Sequence, residues 1–140
     1  MIHSFSGENA LAFIECGLLT EGREWVGIDQ WRMDKFMMLT RRYLRQIFTY
    51  VAKSNWEEVK KITEIFSSSV ISNPKATLGF RLHFTDVYLE EVAKAGGEDM
   101  NSDILLNLIG NYFCHCYLEK LLLDSILFLC SRVKFHLKVD

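Results

Sequence analysis

Proline is nearly absent from this sequence, with Pro74 alone in 140 residues. Long helices therefore meet no obstacle from rings that would remove backbone donors. Strict alternation of apolar and polar residues is missing throughout, which leaves no convincing strand. An excess of basic charge is missing too. The formal net charge is −2, which argues against a wholly basic nucleic-acid module. No long apolar run goes uninterrupted: the stretch from Ile104 to Cys130 contains Asn107, Asn111, His115, Glu119, Lys120 and Asp124. A lipid-facing helix needs about 20 nearly unbroken apolar residues, so no membrane contact is expected. The first twenty residues hold Glu8 and Glu15 and lack a basic stretch, unlike a secretory signal. Reduced thiols in an intracellular compartment are the expectation for Cys16, Cys114, Cys116 and Cys130.

What is present is apolar and aromatic. Hydrophobic residues make up 49% of the chain and aromatics 13%, enough for a real core in one domain spanning residues 1–140. Disorder, collagen and a disulfide scaffold are excluded by the same composition.

Glycines and Asn73-Pro74 divide the chain into about six helices. The first is expected over Glu8–Leu19 with Ser6 as N-cap, and the second over Ile28–Ser54 with Asp29 in its first turn. The third follows Asn55 as N-cap, with Glu57 and Glu58 at its start, and stops before Asn73. The fourth runs over Leu78–Ala95 and ends at Gly96-Gly97. The fifth begins near Ser102 and the sixth near Tyr117. Paired, these give three antiparallel hairpins that start about 47 residues apart. Helical solenoids of the HEAT and armadillo type repeat at roughly 40–47 residues. The expected fold is therefore all-α, in stacked hairpins.

Charge is unevenly placed. Residues 28–53 carry +4, while residues 1–27 and 78–100 each carry −3. On a wheel at about 100° per residue, the second helix separates into two halves. Met33, Phe36, Met37, Leu39, Tyr43, Leu44, Ile47, Phe48, Tyr50 and Val51 form the core half. Lys35, Arg41, Arg42, Arg45 and Lys53 form the other half with Trp31 and Met38. Two readings stand side by side. The stripe meets phosphate or an acidic partner, or its arginines bridge to Asp86, Glu90 and Glu91 of the fourth helix. Trp31 is the surface candidate among the tryptophans; Trp25 and Trp56 read as anchors at the helix ends.

Chemistry finds little support. Gly-rich phosphate loops, nucleophile elbows, HExxH and paired-carboxylate signatures are all missing. Cys114-His115-Cys116, with Cys130 and His136 downstream, lacks the two-to-four-residue spacing of structural zinc ligands. Cys16 reads as core and His83 as structural. No enzyme, metal or cofactor is expected.

Two ordered blocks carry a family resemblance. The first is Arg23-Glu24-Trp25, Gly27-Ile28-Asp29, Arg32-x-Asp34-Lys35-Phe36, then Arg41 and Leu44-Arg45-Gln46. The second is Gly79-Phe80-Arg81-Leu82-His83-Phe84, Asp86, Tyr88-Leu89 and Lys94-x-Gly96-Gly97. Together they resemble the ribosomal RNA processing protein 1 family, the Nop52-like nucleolar proteins, and correspond to the second part of that family's globular domain. The resemblance implies a non-enzymatic helical scaffold in the nucleus and nucleolus. Its implied partners are pre-60S assembly factors, with rRNA contact second. A stand-alone RNA-binding protein using the basic face of the second helix is the alternative. Helical repeats that precede Ser4 in the family are absent, so an open apolar patch around Phe13 and a homodimer of the isolated chain are expected.

Overall fold

The computed structural model describes residues 2–5, 7–96 and 100–116, and excludes the side chains of residues 3, 96 and 111–116. Five α-helices occur among them: α1 (Glu8–Glu24), α2 (Gln30–Lys53), α3 (Val59–Phe66), α4 (Leu78–Gly96) and α5 (Ser102–Cys116). The all-α class holds. The expected sixth helix, and the Gly97 of the expected cap on α4, lie outside the described residues. With two hairpins and one further helix described, the HEAT or armadillo assignment stays an expectation.

Local chemistry sets the helix ends. The Asp29 carboxylate accepts the backbone N–H of Arg32 at 3.0 Å, which satisfies a donor that has no partner inside α2. Gly7 occupies the N-cap of α1 at φ 53°, where glycine carries no steric penalty; Ser6 lies outside the described residues. α1 runs on past Leu19 to Glu24, since Gly22 is helical and buried. Asn55 is not the N-cap of the third helix. It ends the second. Its N–H donates to the Ala52 carbonyl at 3.1 Å, and the Trp56 N–H to Val51 at 2.9 Å. This is a Schellman closure with Asn55 left-handed at φ 54°. Trp56 follows at φ 64° and packs half-buried against the core. α3 therefore starts only at Val59, and continues as a π-helical turn over Ser67–Ile71.

Helices α1, α3 and α5 make one layer in that order, and α2 and α4 make the other. α1 and α2 are antiparallel: the Tyr43 hydroxyl donates to the Phe13 carbonyl at 2.9 Å and Thr40 to Glu21 at 2.8 Å. α2 and α4 run parallel. His83 Nε2 meets the Met37 carbonyl at 3.0 Å and Arg45 grips Glu91, both 46 residues apart in sequence.

Between the layers sits a ring cluster. Phe48, Phe66, Phe84 and Tyr88 are all buried. Phe66 meets Phe48, Phe84 and Tyr88 edge-on at centroid distances of 5.9, 5.3 and 5.7 Å, a geometry that suits the ring quadrupoles. Trp25, expected as an anchor, tilts against Phe80 at 5.1 Å and stacks on His83 at 5.7 Å. His83 is thus structural.

Several expected core positions are not core. No residue from Gln30 to Leu39 is fully buried; Met33 and Phe36 pack half-buried against the core, and the first buried position of α2 is Thr40. Leu39 is 48% exposed, Met37 lies at the surface and Phe36 is half-buried. Cys16 is exposed, because it sits on the side of α1 away from Ile14 and Leu18. Of the apolar patch expected around Phe13, Phe13 itself is half-buried, whereas Phe5 and Leu19 are each 40% exposed. Phe5 stacks on Phe13 at 5.2 Å, and Tyr43 meets it edge-on at 6.3 Å.

Candidate binding face on the second helix

The six residues singled out on α2 divide in two. Arg41 and Arg45 turn towards α4. The Arg45 guanidinium donates to both oxygens of Glu91, through Nε at 2.7 Å and Nη2 at 3.1 Å. Arg41 Nη1 lies 2.8 Å from Glu90 Oε2 and 3.7 Å from Glu91 Oε1. Lys94 completes the cluster, 2.7 Å from Glu90 and 3.4 Å from Glu91. For these two arginines the bridging interpretation is the correct one. Asp86, the third carboxylate expected to take part, is exposed and makes no ion pair among the described residues.

Glu91 is the centre of this arrangement, fully buried yet facing three cations. A carboxylate removed from water needs paired, hydrogen-bonded partners to offset its lost hydration, and the two-pronged guanidinium supplies them. The pairing acts on its neighbours. The hydrogen bond to Glu91 raises the Arg45 pKa, and the Lys94 hydrogen bond, with Arg41 nearby, holds Glu90 below the usual carboxylate range.

Trp31, Lys35, Arg42 and Lys53 stay outward. All four are exposed, and Trp31 has 90% of its surface open. At 100° per residue they fall within an arc of about 40°, with Met38 alongside. Lys35 and Lys53 are about 27 Å apart along the axis at 1.5 Å per residue. No carboxylate among the described residues pairs with Lys35, Arg42 or Lys53. The face is therefore a straight cationic ridge with an exposed indole at its N-terminal end. Asp29 stiffens that end through its cap and its ion pair with Arg32, and the Arg32 hydrogen bond lowers the Asp29 pKa.

Sequence reasoning missed the α1–α2 contact. Burial pushes the Glu21 carboxyl up to about 7, against the opposing hydrogen bond from Thr40. Gly17 admits the Tyr43 ring so closely that an added Cβ would stand 2.3 Å from the hydroxyl. The isolated Gly17 within a helical pattern was the available signal. The side chains of Cys114, His115 and Cys116 are outside the described set, as are Cys130 and His136. Among the described residues no helix is long and apolar enough to cross a membrane.

Residues 1–126 match a family model described as "Nucleolar protein, Nop52". A ribosomal RNA processing protein 1 homolog of Drosophila melanogaster is 37% identical over 106 residues, 73% of this chain and 15% of its own length. A human protein, ribosomal RNA processing protein 1 homolog B, is 36% identical over 118 residues, 81% of this chain and 15% of its own. The human homolog A is 32% identical over the same number of residues, 25% of its length. The chain thus spans a quarter or less of these relatives.

Proposed function

Because the chain belongs to the Nop52 family of nucleolar proteins, we propose that it is a non-enzymatic helical scaffold for the large ribosomal subunit precursor, acting in the nucleolus to support rRNA processing. The names of its relatives, ribosomal RNA processing proteins, support the process. The observation that carries the scaffold role is the outer face of α2. There, four of the six residues singled out remain unengaged by the fold, while the other two lock the helix to α4. A face that is rigidly held yet chemically unspent is what docking requires. Its partners in this reading are pre-60S assembly factors, with rRNA contacted second.

The test is sedimentation. The tagged chain, expressed in nucleolus-containing cells and fractionated at particle-preserving salt, is expected to travel with large-subunit precursors. It should recover precursor rRNA and assembly factors on affinity purification. Migration as free protein only would overturn the proposal.

A further inference from the structure

We propose that the outward ridge of α2 is a track for single-stranded RNA, with the Trp31 indole stacking on a base and Lys35, Arg42 and Lys53 neutralising phosphates. This deepens the scaffold reading and rests on it for the class of polymer. The ridge owes its form to a division of labour on one helix. Arg41 and Arg45 are consumed by Glu90 and Glu91, so the mixed charge of the α2–α4 seam is spent internally. Lys35, Arg42 and Lys53 face outward in one line that ends in an aromatic ring, with the exposed Asp34 carboxylate beside that end, about 60° from Trp31 around the axis.

That order matters. A protein partner is met by an apolar centre surrounded by a polar rim. Here the largest apolar group is at one end, and cations occupy the same line as the ring. Aromatic rings beside a cationic track are the arrangement that holds single strands, because every base has a face to stack and every nucleotide a phosphate. A duplex keeps its bases stacked internally and would leave the indole without a partner. Spacing agrees with a strand. Lys35 and Arg42 are about 10 Å apart along the axis, and Arg42 and Lys53 about 16 Å, distances that an extended strand spans in a few nucleotides.

The experiment uses the whole 140-residue chain and a 12-nucleotide oligouridylate, with binding followed by anisotropy across a range of salt. Three neutralised phosphates predict a slope of about −2 in log affinity against log salt, at roughly 0.7 per phosphate on single strands. Trp31→Ala should weaken binding roughly tenfold and leave the slope intact. Lys35→Ala, Arg42→Ala and Lys53→Ala together should flatten the slope. Lys60→Ala with Lys61→Ala, equally exposed on α3, should change neither. Helical circular dichroism of every variant should match the wild type, since all substituted side chains lie at the surface.

Failure to bind the oligonucleotide at low salt overturns the inference. So does indifference to Trp31→Ala, or an equal effect of the α3 lysines. Polyglutamate that binds as tightly, with the same salt slope, also overturns it and makes the ridge a site for an acidic protein segment. A chain that sediments with precursors but ignores the oligonucleotide refutes the RNA track alone. One that binds the oligonucleotide through Trp31 but sediments free supports the track and refutes the scaffold.

Discussion

Tyr43 shows how much one small residue permits. Its hydroxyl reaches the Phe13 carbonyl only because Gly17 leaves room for the ring. Gly17→Ala would force the ring aside and forfeit that hydrogen bond, outweighing the helix propensity gained. A net loss of about 1–2 kcal/mol is expected, read as a lower midpoint in urea. Glu21 makes a second residue-scale prediction. Its carboxyl holds its proton up to about pH 7 in the folded chain, against an ordinary value of 4.5. Between those two pH values the unfolded chain has released a proton that the folded chain keeps, so stability falls as pH rises. The loss is on the order of 3 kcal/mol. Melts of the wild type from pH 4.5 to 7.5 should show the decline, and Glu21→Gln should flatten that part of the profile.

At the scale of the helix, α2 is governed by its ends and one clamp. Asn55→Ala places a Cβ in the left-handed region that asparagine tolerates and should cost about 1 kcal/mol. Arg45→Ala leaves the buried Glu91 with Arg41 and Lys94 alone, at a cost of about 2 kcal/mol. Combining it with Glu91→Ala should recover part of that loss, and a double-mutant cycle by thermal melting measures the coupling. Phe36→Ala should cost only about 1–2 kcal/mol, since the ring is half-buried rather than enclosed. The presence of each described helix was legible from apolar periodicity, but the ends were less so: Asp29 caps α2 instead of sitting in its first turn, and Asn55 closes α2 instead of starting the third helix. Burial along α2 was less legible. A wheel shows that Leu39 and Leu44 are apolar but not that the neighbouring layer meets only the second of them. Cys16 was misread for the same reason.

Across the whole molecule the layers interlock. Trp25 from the end of α1 rests on Phe80 and His83 of α4, so neither hairpin can open without disturbing the other. Unfolding should be a single transition, with helical circular dichroism and tryptophan fluorescence changing together. Separate midpoints would show that the two hairpins come apart independently. The expected spacing of about 47 residues between hairpin starts becomes 51 and then 43, since α1, α3 and α5 begin at Glu8, Val59 and Ser102. It could not show which members of the hairpins would lie side by side, because that depends on contacts made after both have formed. The candidate face was half legible. Its six residues were on view, but which arginines Glu90 and Glu91 would consume is a fact of distance.

The parallel pairing of α2 and α4 has a mechanical meaning. The His83–Met37 and Arg45–Glu91 contacts lie about 12 Å apart along the pair, like two rivets through overlapping plates. A slide of one helical turn would shear both at once, and a twist about either is resisted by the other. Force on the outer face of α2 is therefore passed to α4 and the aromatic centre through both contacts together.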